Sequence, residues 1–212
     1  MREAERQRDK SCELVSLRKL IVARIVHSPE DMGSMREGLE RIGVSRLGRE
    51  RWEENRRRIE RFWDELEREI DLLDIDPARL RIYQDGLPAG GELGERIIRE
   101  TASKGSRNYQ IIKKLMDRGA RIEATESPEL LLKEYQHIKA MVSTTGEEQR
   151  RALDAYNMEK DRLLEERDAY IARRIAETLH DGETGLLFIG AHHKVVPRLP
   201  PDVEVSYLGD PG

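Results

Sequence analysis

The chain has 212 residues, 38% charged and 37% apolar, with 38 Lys+Arg against 42 Asp+Glu and a formal net charge of −4. That length suits one domain with a lean core, and the slight acidic excess argues against a nucleic-acid binder, which would carry a basic one. No apolar run approaches the roughly 20 residues of a spanning helix, the opening MREAERQRDK lacks the apolar stretch of a signal peptide, and the lone Cys12 has no disulfide partner, so a cytoplasmic protein with no membrane partner is expected.

Residues 1–16 read as a polar leader and 17–212 as a single α/β domain. The segment from Leu17 to Val26 holds Leu20-Ile21-Val22-Ala23 and Ile25-Val26. Its β-branched residues suit a strand. It stops at His27-Ser28-Pro29, where Ser28 has the form of an N-cap and Pro29 of a first helical residue. Over 49–74, Trp52, Ile59, Phe62, Trp63, Leu66, Ile70 and Leu73 fall on one stripe of a long helix. Its Arg56-Arg57-Arg58 cluster is interleaved with Glu53, Glu54, Glu60 and Glu65, the pattern of a solvated face.

A second strand, Leu80 to Tyr83, ends at Gln84-Asp85-Gly86. The glycine-rich loop from Gly86 to Gly94 has neither the GxGxxG spacing nor a GK[ST] ending, so it is no nucleotide cradle. Helices are predicted over about 91–101 and 108–118, the second stopping at Gly119, a natural C′ residue. A third strand, Arg121 to Thr125, leads through Glu126-Ser127-Pro128 into a helix over 129–140. A long helix over 146–179 closes before Asp181-Gly182. The fourth strand, Gly185 to Ile189, is the most apolar segment and ends at Gly190-Ala191-His192-His193. A last strand spans 203–208.

Strands alternating with helices imply an α/β fold with a mostly parallel sheet flanked by helices. The two long charged helices, 49–74 and 146–179, exceed what such a sheet needs. They are expected to pair as a protruding hairpin or cap, or to join two subunits as a homodimer.

The chemistry is positional. His27 ends strand one, Asp85 strand two and Glu126 strand three, and His193 follows strand four. Ligands of open parallel sheets bind outside the carboxyl ends of the strands. If these strands run parallel, two imidazoles and two carboxylates converge there. That donor set suits a divalent metal such as Zn, Mn, Co or Fe, which would make a nucleophile of bound water at neutral pH. Each residue also has a structural reading: His27 as a loop residue, Asp85-Gly86 as a turn pair, Glu126 as a partner of the following helix dipole. In the helix before Leu179, Arg167 and Asp168 fall within the apolar stripe of Leu164, Ile171, Ile175 and Leu179. A charge facing the core needs a partner, so Arg167 calls for a carboxylate and Asp168 for a cation or a helix end. Arg167 could equally clamp an anionic substrate group. Of His192 and His193, adjacent in sequence, one faces the site and the other points away. Tyr83, Gln84 and Lys194 lie near enough to support it, and His137 and His180 read as solvent or cap residues.

At these residues the chain resembles the TIKI/TraB/GumN superfamily, relatives of the ChaN-like and erythromycin-esterase-like proteins. Glu166-Arg167-Asp168, Ala172, Ile175 and Gly190-Ala191-His192-His193 are similar to that family's ERN helix, strand and GxxH motif. Glu126-Ser127-Pro128-Glu129-Leu130 is similar to its acidic turn, and Ile25-Val26-His27 stands where its first GxxH would be, with Arg24 in place of the glycine. Tyr83-Gln84-Asp85 stands where the family has a Glu. The resemblance implies a metal-dependent hydrolase acting on a small molecule or peptide, its bond a peptide or an ester. His27, His193 and Glu126 would be metal ligands, Glu126, Arg167 and Asp85 catalytic residues. His193 is chosen over His192 on this ground.

Two other readings compete. The charged helices could make a non-catalytic interaction or ligand-sensing protein, and Arg107, Lys113, Lys114 and Arg118 could form a phosphate or nucleotide site on their helix.

Overall fold

The computed structural model describes residues 18–27, 30–31 and 35–208. The polar leader, Cys12 and the Ser28-Pro29 cap lie outside the described residues. Five strands, β1 (Arg18–Ile25), β2 (Leu80–Gln84), β3 (Arg121–Ile122), β4 (Thr184–Gly190) and β5 (Val203–Leu208), form one parallel sheet of order β3-β2-β4-β1-β5. Ile25 pairs with Gly190 across β1 and β4, and Gln84 with Phe188 across β2 and β4. The three central strands therefore end close together. Six α-helices, α1 (Arg36–Leu47), α2 (Arg49–Asp71), α3 (Gly91–Ser103), α4 (Arg107–Asp117), α5 (Pro128–Ser143) and α6 (Gly146–Thr178), and short 3-10 helices at Pro77–Arg79 and Val196–Arg198 accompany the sheet.

The fold is α/β, with helices on both faces of the sheet. Ala23, Ile25, Ile82, Leu186 and Phe188 pack one face against Trp63, Leu66 and Ile70 of α2, Ile98 of α3 and Ile112 of α4. Leu20, Val22, Tyr83, Leu187 and Ile189 pack the other against Ile171, Ala172 and Ile175 of α6. Both faces of β4 are covered, which is why Leu186 to Ile189 is an unbroken apolar run.

The long helices 49–74 and 146–179 do not pair with each other. The Trp63, Leu66 and Ile70 stripe seats α2 on one sheet face, while α6 lies on the opposite face and turns back from α5. On α6 the stripe is anchored by Leu163, buried, where the spacing predicts Leu164, which is half-buried. The predicted third strand is shortened to Arg121–Ile122. Beyond it the Thr125 hydroxyl accepts from Gln84 N at 2.9 Å, and Thr125 N and Glu126 N both donate to Leu87 O at 3.0 Å. These bonds replace the ladder and lift Glu126 over the end of the sheet. Ser127 then caps α5, accepting from Leu130 N, with Pro128 in the first turn.

The predicted phosphate site on α4 is overturned. Arg107 binds Asp64 and Glu67, Lys113 binds Asp117, Lys114 binds Glu67 and Asp71, and Arg118 faces Asp71. The face is a salt-bridge seam, mostly to α2. Among the described residues no helix is long and apolar enough to cross a membrane.

Candidate metal centre

Chain segments from four strand ends and from α6 meet at the carboxyl edge of the sheet. Asp85 follows β2 directly; its N–H donates to Phe188 O at 2.9 Å, which extends the ladder by one residue. Its Oδ2 accepts from Gly190 N at 3.0 Å and lies 3.2 Å from His27 Nε2 and 3.4 Å from His193 Nε2. Its Oδ1 accepts from Arg167 Nη2 at 2.6 Å. Burial alone would raise the Asp85 carboxyl, but the hydrogen bonds and charges of His193 and His27 outweigh it and hold the group well below the usual carboxylate range.

Glu126 is fully buried. Its only charge-bearing donor among the described residues is Arg167, from Nε at 3.1 Å and Nη2 at 2.5 Å. Burial pushes its carboxyl up to about 7, with Arg167 pulling the other way. Arg167 itself is 7% exposed and reaches a third carboxylate, Glu134 of α5, which also accepts from Tyr156 Oη at 3.2 Å. The charges predicted to face the core therefore do so and are paired.

His193 turns inward from the loop after β4 while His192 is exposed. Its Nδ1 lies 2.6 Å from Asp168 Oδ1, and Asp168 Oδ2 accepts from Lys194 N at 2.8 Å. Asp168 therefore fixes the ring and leaves Nε2 facing Asp85. Burial disfavours the His193 cation, but Asp168 and Asp85 more than compensate and raise it to about 9. His27 comes from β1. Its Nε2 is packed into the site while 40% of the side chain is open to solvent. Burial lowers its pKa, and the Asp85 hydrogen bond and charge reverse this to a net raise.

Gly190 lets these groups meet. On β1, Ala23 and Ile25 face α2, α3 and α4, whereas Asp85 lies with Arg167 on the α6 side. The His27 ring and the Asp85 carboxylate come together over the end of β4, where a Cβ on Gly190 would stand 3.2 Å from Asp85 Oδ2 and 3.3 Å from His27 Nε2. Gly190→Ala should therefore cost about 1–3 kcal/mol from overpacking. Chemical denaturation of the purified variant checks this, and an unchanged midpoint would refute the crowding.

All five predicted site residues, His27, Asp85, Glu126, Arg167 and His193, lie in this one cluster. The compact donor set differs from the expected one. Asp85, Glu126 and His193 each offer a ligand atom within 4.8 Å of the others; His27 meets the set through Asp85. The reason is geometric: His27 reaches Asp85 Oδ2 over Gly190 from the β1 side, whereas Asp85, Glu126 and His193 each bring an atom within 4.8 Å of the other two. Tyr83 bonds Thr178 on the α6 side rather than the cluster, Gln84 donates to Asp85 O, and Lys194 contributes its backbone N–H. Glu134 is the member sequence reasoning missed. It sits among ordinary polar residues of α5, and its only signal is the unmet demand of Arg167 for carboxylates.

Two buried carboxylates and an imidazole whose far nitrogen is held by a further carboxylate form a set that could hold a metal ion. No family model, curated protein or solved structure matches the chain.

Proposed function

We propose that the protein is a hydrolase of peptide or ester bonds that works with a divalent metal ion held by Asp85, Glu126 and His193. The observation that carries this reading is their convergence within 4.8 Å, with His193 oriented through Nδ1 by Asp168. Zn, Mn, Co or Fe would each fit such donors, and the ion would supply a water-derived nucleophile and polarise the substrate carbonyl. Asp168 keeps Nε2 of His193 free for the ion. Arg167 bridges Asp85 and Glu126 and holds both carboxylates in place against their repulsion. His27 stands on the open side and is the first of these groups that a substrate would meet. Membership of the TIKI/TraB/GumN superfamily, or of a sister family, belongs to the same proposal, as does a cytoplasmic setting. It is supported by the ordered residues His27, Glu126, Arg167-Asp168 and His193.

Elemental analysis of protein purified without chelator tests the metal. About one equivalent is expected in the native chain and a small fraction of that in His193→Ala. Equal, negligible metal in both proteins would end the reading.

A second reading has its own observation. Among residues 128–162, in α5 and the first half of α6, no side chain is buried, and Leu132, Tyr135 and Met158 are exposed. This hairpin would then join two copies of the chain. Light scattering across a wide concentration range should show a dimer in that case; a strict monomer throughout would remove it.

A further inference from the structure

The hairpin of α5 and the first half of α6 buries no side chain among residues 128–162, yet two of its side chains reach the carboxylate cluster. Glu134, in the second turn of α5, is gripped at both oxygens. Its Oε2 accepts from Arg167 Nη1, and its Oε1 accepts from Tyr156 Oη at 3.2 Å. Tyr156 and Arg167 stand about three turns apart on α6 and so share one face of that helix. Burial and the Glu134 charge push the Tyr156 hydroxyl up to about 12, which keeps it a neutral donor.

Arg167 thereby serves carboxylates on two sides. Nε and Nη2 hold Glu126, and Nη2 also holds Asp85; Nη1 holds Glu134, which belongs to no ligand set. On Asp85 the guanidinium takes Oδ1 at 2.6 Å and leaves Oδ2, the oxygen 3.4 Å from His193 Nε2. A guanidinium is planar and rigid, so the point at which Nη1 is pinned decides how far Nε and Nη2 reach. A guanidinium drawn further onto Asp85 and Glu126 would cover the oxygens that a metal ion needs and bring positive charge towards it. Glu134 pulls from the opposite side. It draws the guanidinium outward and offsets part of its charge.

We propose that Glu134, steadied by Tyr156, is a positioning residue: it sets Arg167 so that the guanidinium braces Asp85 and Glu126 while leaving one face of the pair open to a cation. The consequence for the ion rests on the metal reading; the placement of Arg167 does not. The hairpin, which the sheet does not need for its packing, is thus tied to the site.

Zn²⁺ titrated calorimetrically into the chelator-stripped full chain is the first measurement. Glu134→Gln keeps the shape of the side chain and removes its charge. It should weaken Zn²⁺ by about tenfold or more, the scale of other residues behind metal ligands. Tyr156→Phe should weaken it in the same direction by a smaller factor. Glu165→Gln removes an exposed acid from the same helix and should change nothing. An ordinary salt bridge between helices would lower the unfolding midpoint of Glu134→Gln and leave its Zn²⁺ constant at the wild-type value. That result, or an equal loss in Glu165→Gln, would overturn the proposal. The second measurement needs no metal. Hydrogen exchange at Arg167 Nε, its resonance identified by its loss in Arg167→Lys, should quicken about tenfold in Glu134→Gln, the scale of one weakened charged hydrogen bond. Quickened exchange in a chain that binds no Zn²⁺ would end the metal reading and support the placement of Arg167. Unchanged exchange would overturn that placement whether or not Zn²⁺ binds.

Discussion

Arg167→Met is expected to lower the unfolding free energy by about 3–5 kcal/mol, the range for removing one partner of a buried ion network. The guanidinium is 7% exposed and donates to Asp85, Glu126 and Glu134 together. Methionine fills the volume and leaves Glu126 buried without its cation, while Asp85 keeps only His27 and His193. The loss should depend on pH in a definite direction. Burial already holds Glu126 at about 7, above its unfolded value of 4.5. A raised folded-state pKa contributes stability that is fully present below the unfolded value and is lost as pH rises through the folded one. Without Arg167 the folded value rises further, so the deficit of the variant should be larger under mildly alkaline than under mildly acidic conditions. Urea denaturation at two pH values measures both. A deficit under about 1 kcal/mol would show that the network is dispensable, and one that grows on acidification would contradict the role assigned to Glu126. Arg167→Lys keeps the charge but cannot reach three carboxylates through a planar fork, so it should recover only part of the loss.

Metal uptake should strengthen with pH and release protons. The ion needs Glu126 ionised and His193 Nε2 unprotonated, and in the metal-free protein these groups titrate at about 7 and about 9. Below about 7 two protons compete with the ion. Between about 7 and about 9 the competition falls to one proton, and above that to none. Affinity should therefore rise by about tenfold per pH unit over the middle window and more steeply beneath it. Metal-free stability runs the other way. The His193 cation is favoured in the fold, so its contribution is complete below 6.5 and is lost as pH rises through about 9. Titration calorimetry in buffers of different ionisation enthalpy reads the proton release, and a flat affinity across this range would contradict the ligand assignment. Asp168→Ala should weaken the metal by about 10–100-fold, the usual cost of removing a carboxylate behind a ligating histidine. An unchanged affinity in that variant would mean that Asp168 serves the fold alone.

How far the sequence reaches depends on whether the deciding interactions are local. The alternation of strands and helices, the apolar run of β4, the Ser127-Pro128 start of α5 and the stop at Gly119 are all legible. Propensity, capping and a left-handed residue act within a few positions, and Gly119 has φ +111°. The burial of Arg167 and Asp168 is legible for the same reason, because two charges inside an apolar helical stripe must find partners. The identity of those partners is not. Arg167 meets Asp85 across 82 positions of chain and Glu126 across 41, and His27 meets Asp85 across 58. Such distances are set by strand order, and no local preference encodes that β4 lies between β1 and β2.

The departures follow the same division. The third strand ends early because the Thr125 hydroxyl, rather than the strand backbone, takes the Gln84 amide. The helices over 49–74 and 146–179 stay apart because each stripe finds its own face of the sheet. The amino-acid sequence by itself determined an α/β chain with acids and imidazoles at the strand ends. Only the tertiary structure decided that Asp85 rather than His27 completes the compact donor set, that Glu134 joins Arg167, and that Gly190 leaves room for a ring and a carboxylate to meet. Periodicity and capping are paid out over single turns and pleats, whereas a site of this kind is a sum of contacts between segments that only the packed sheet brings within reach.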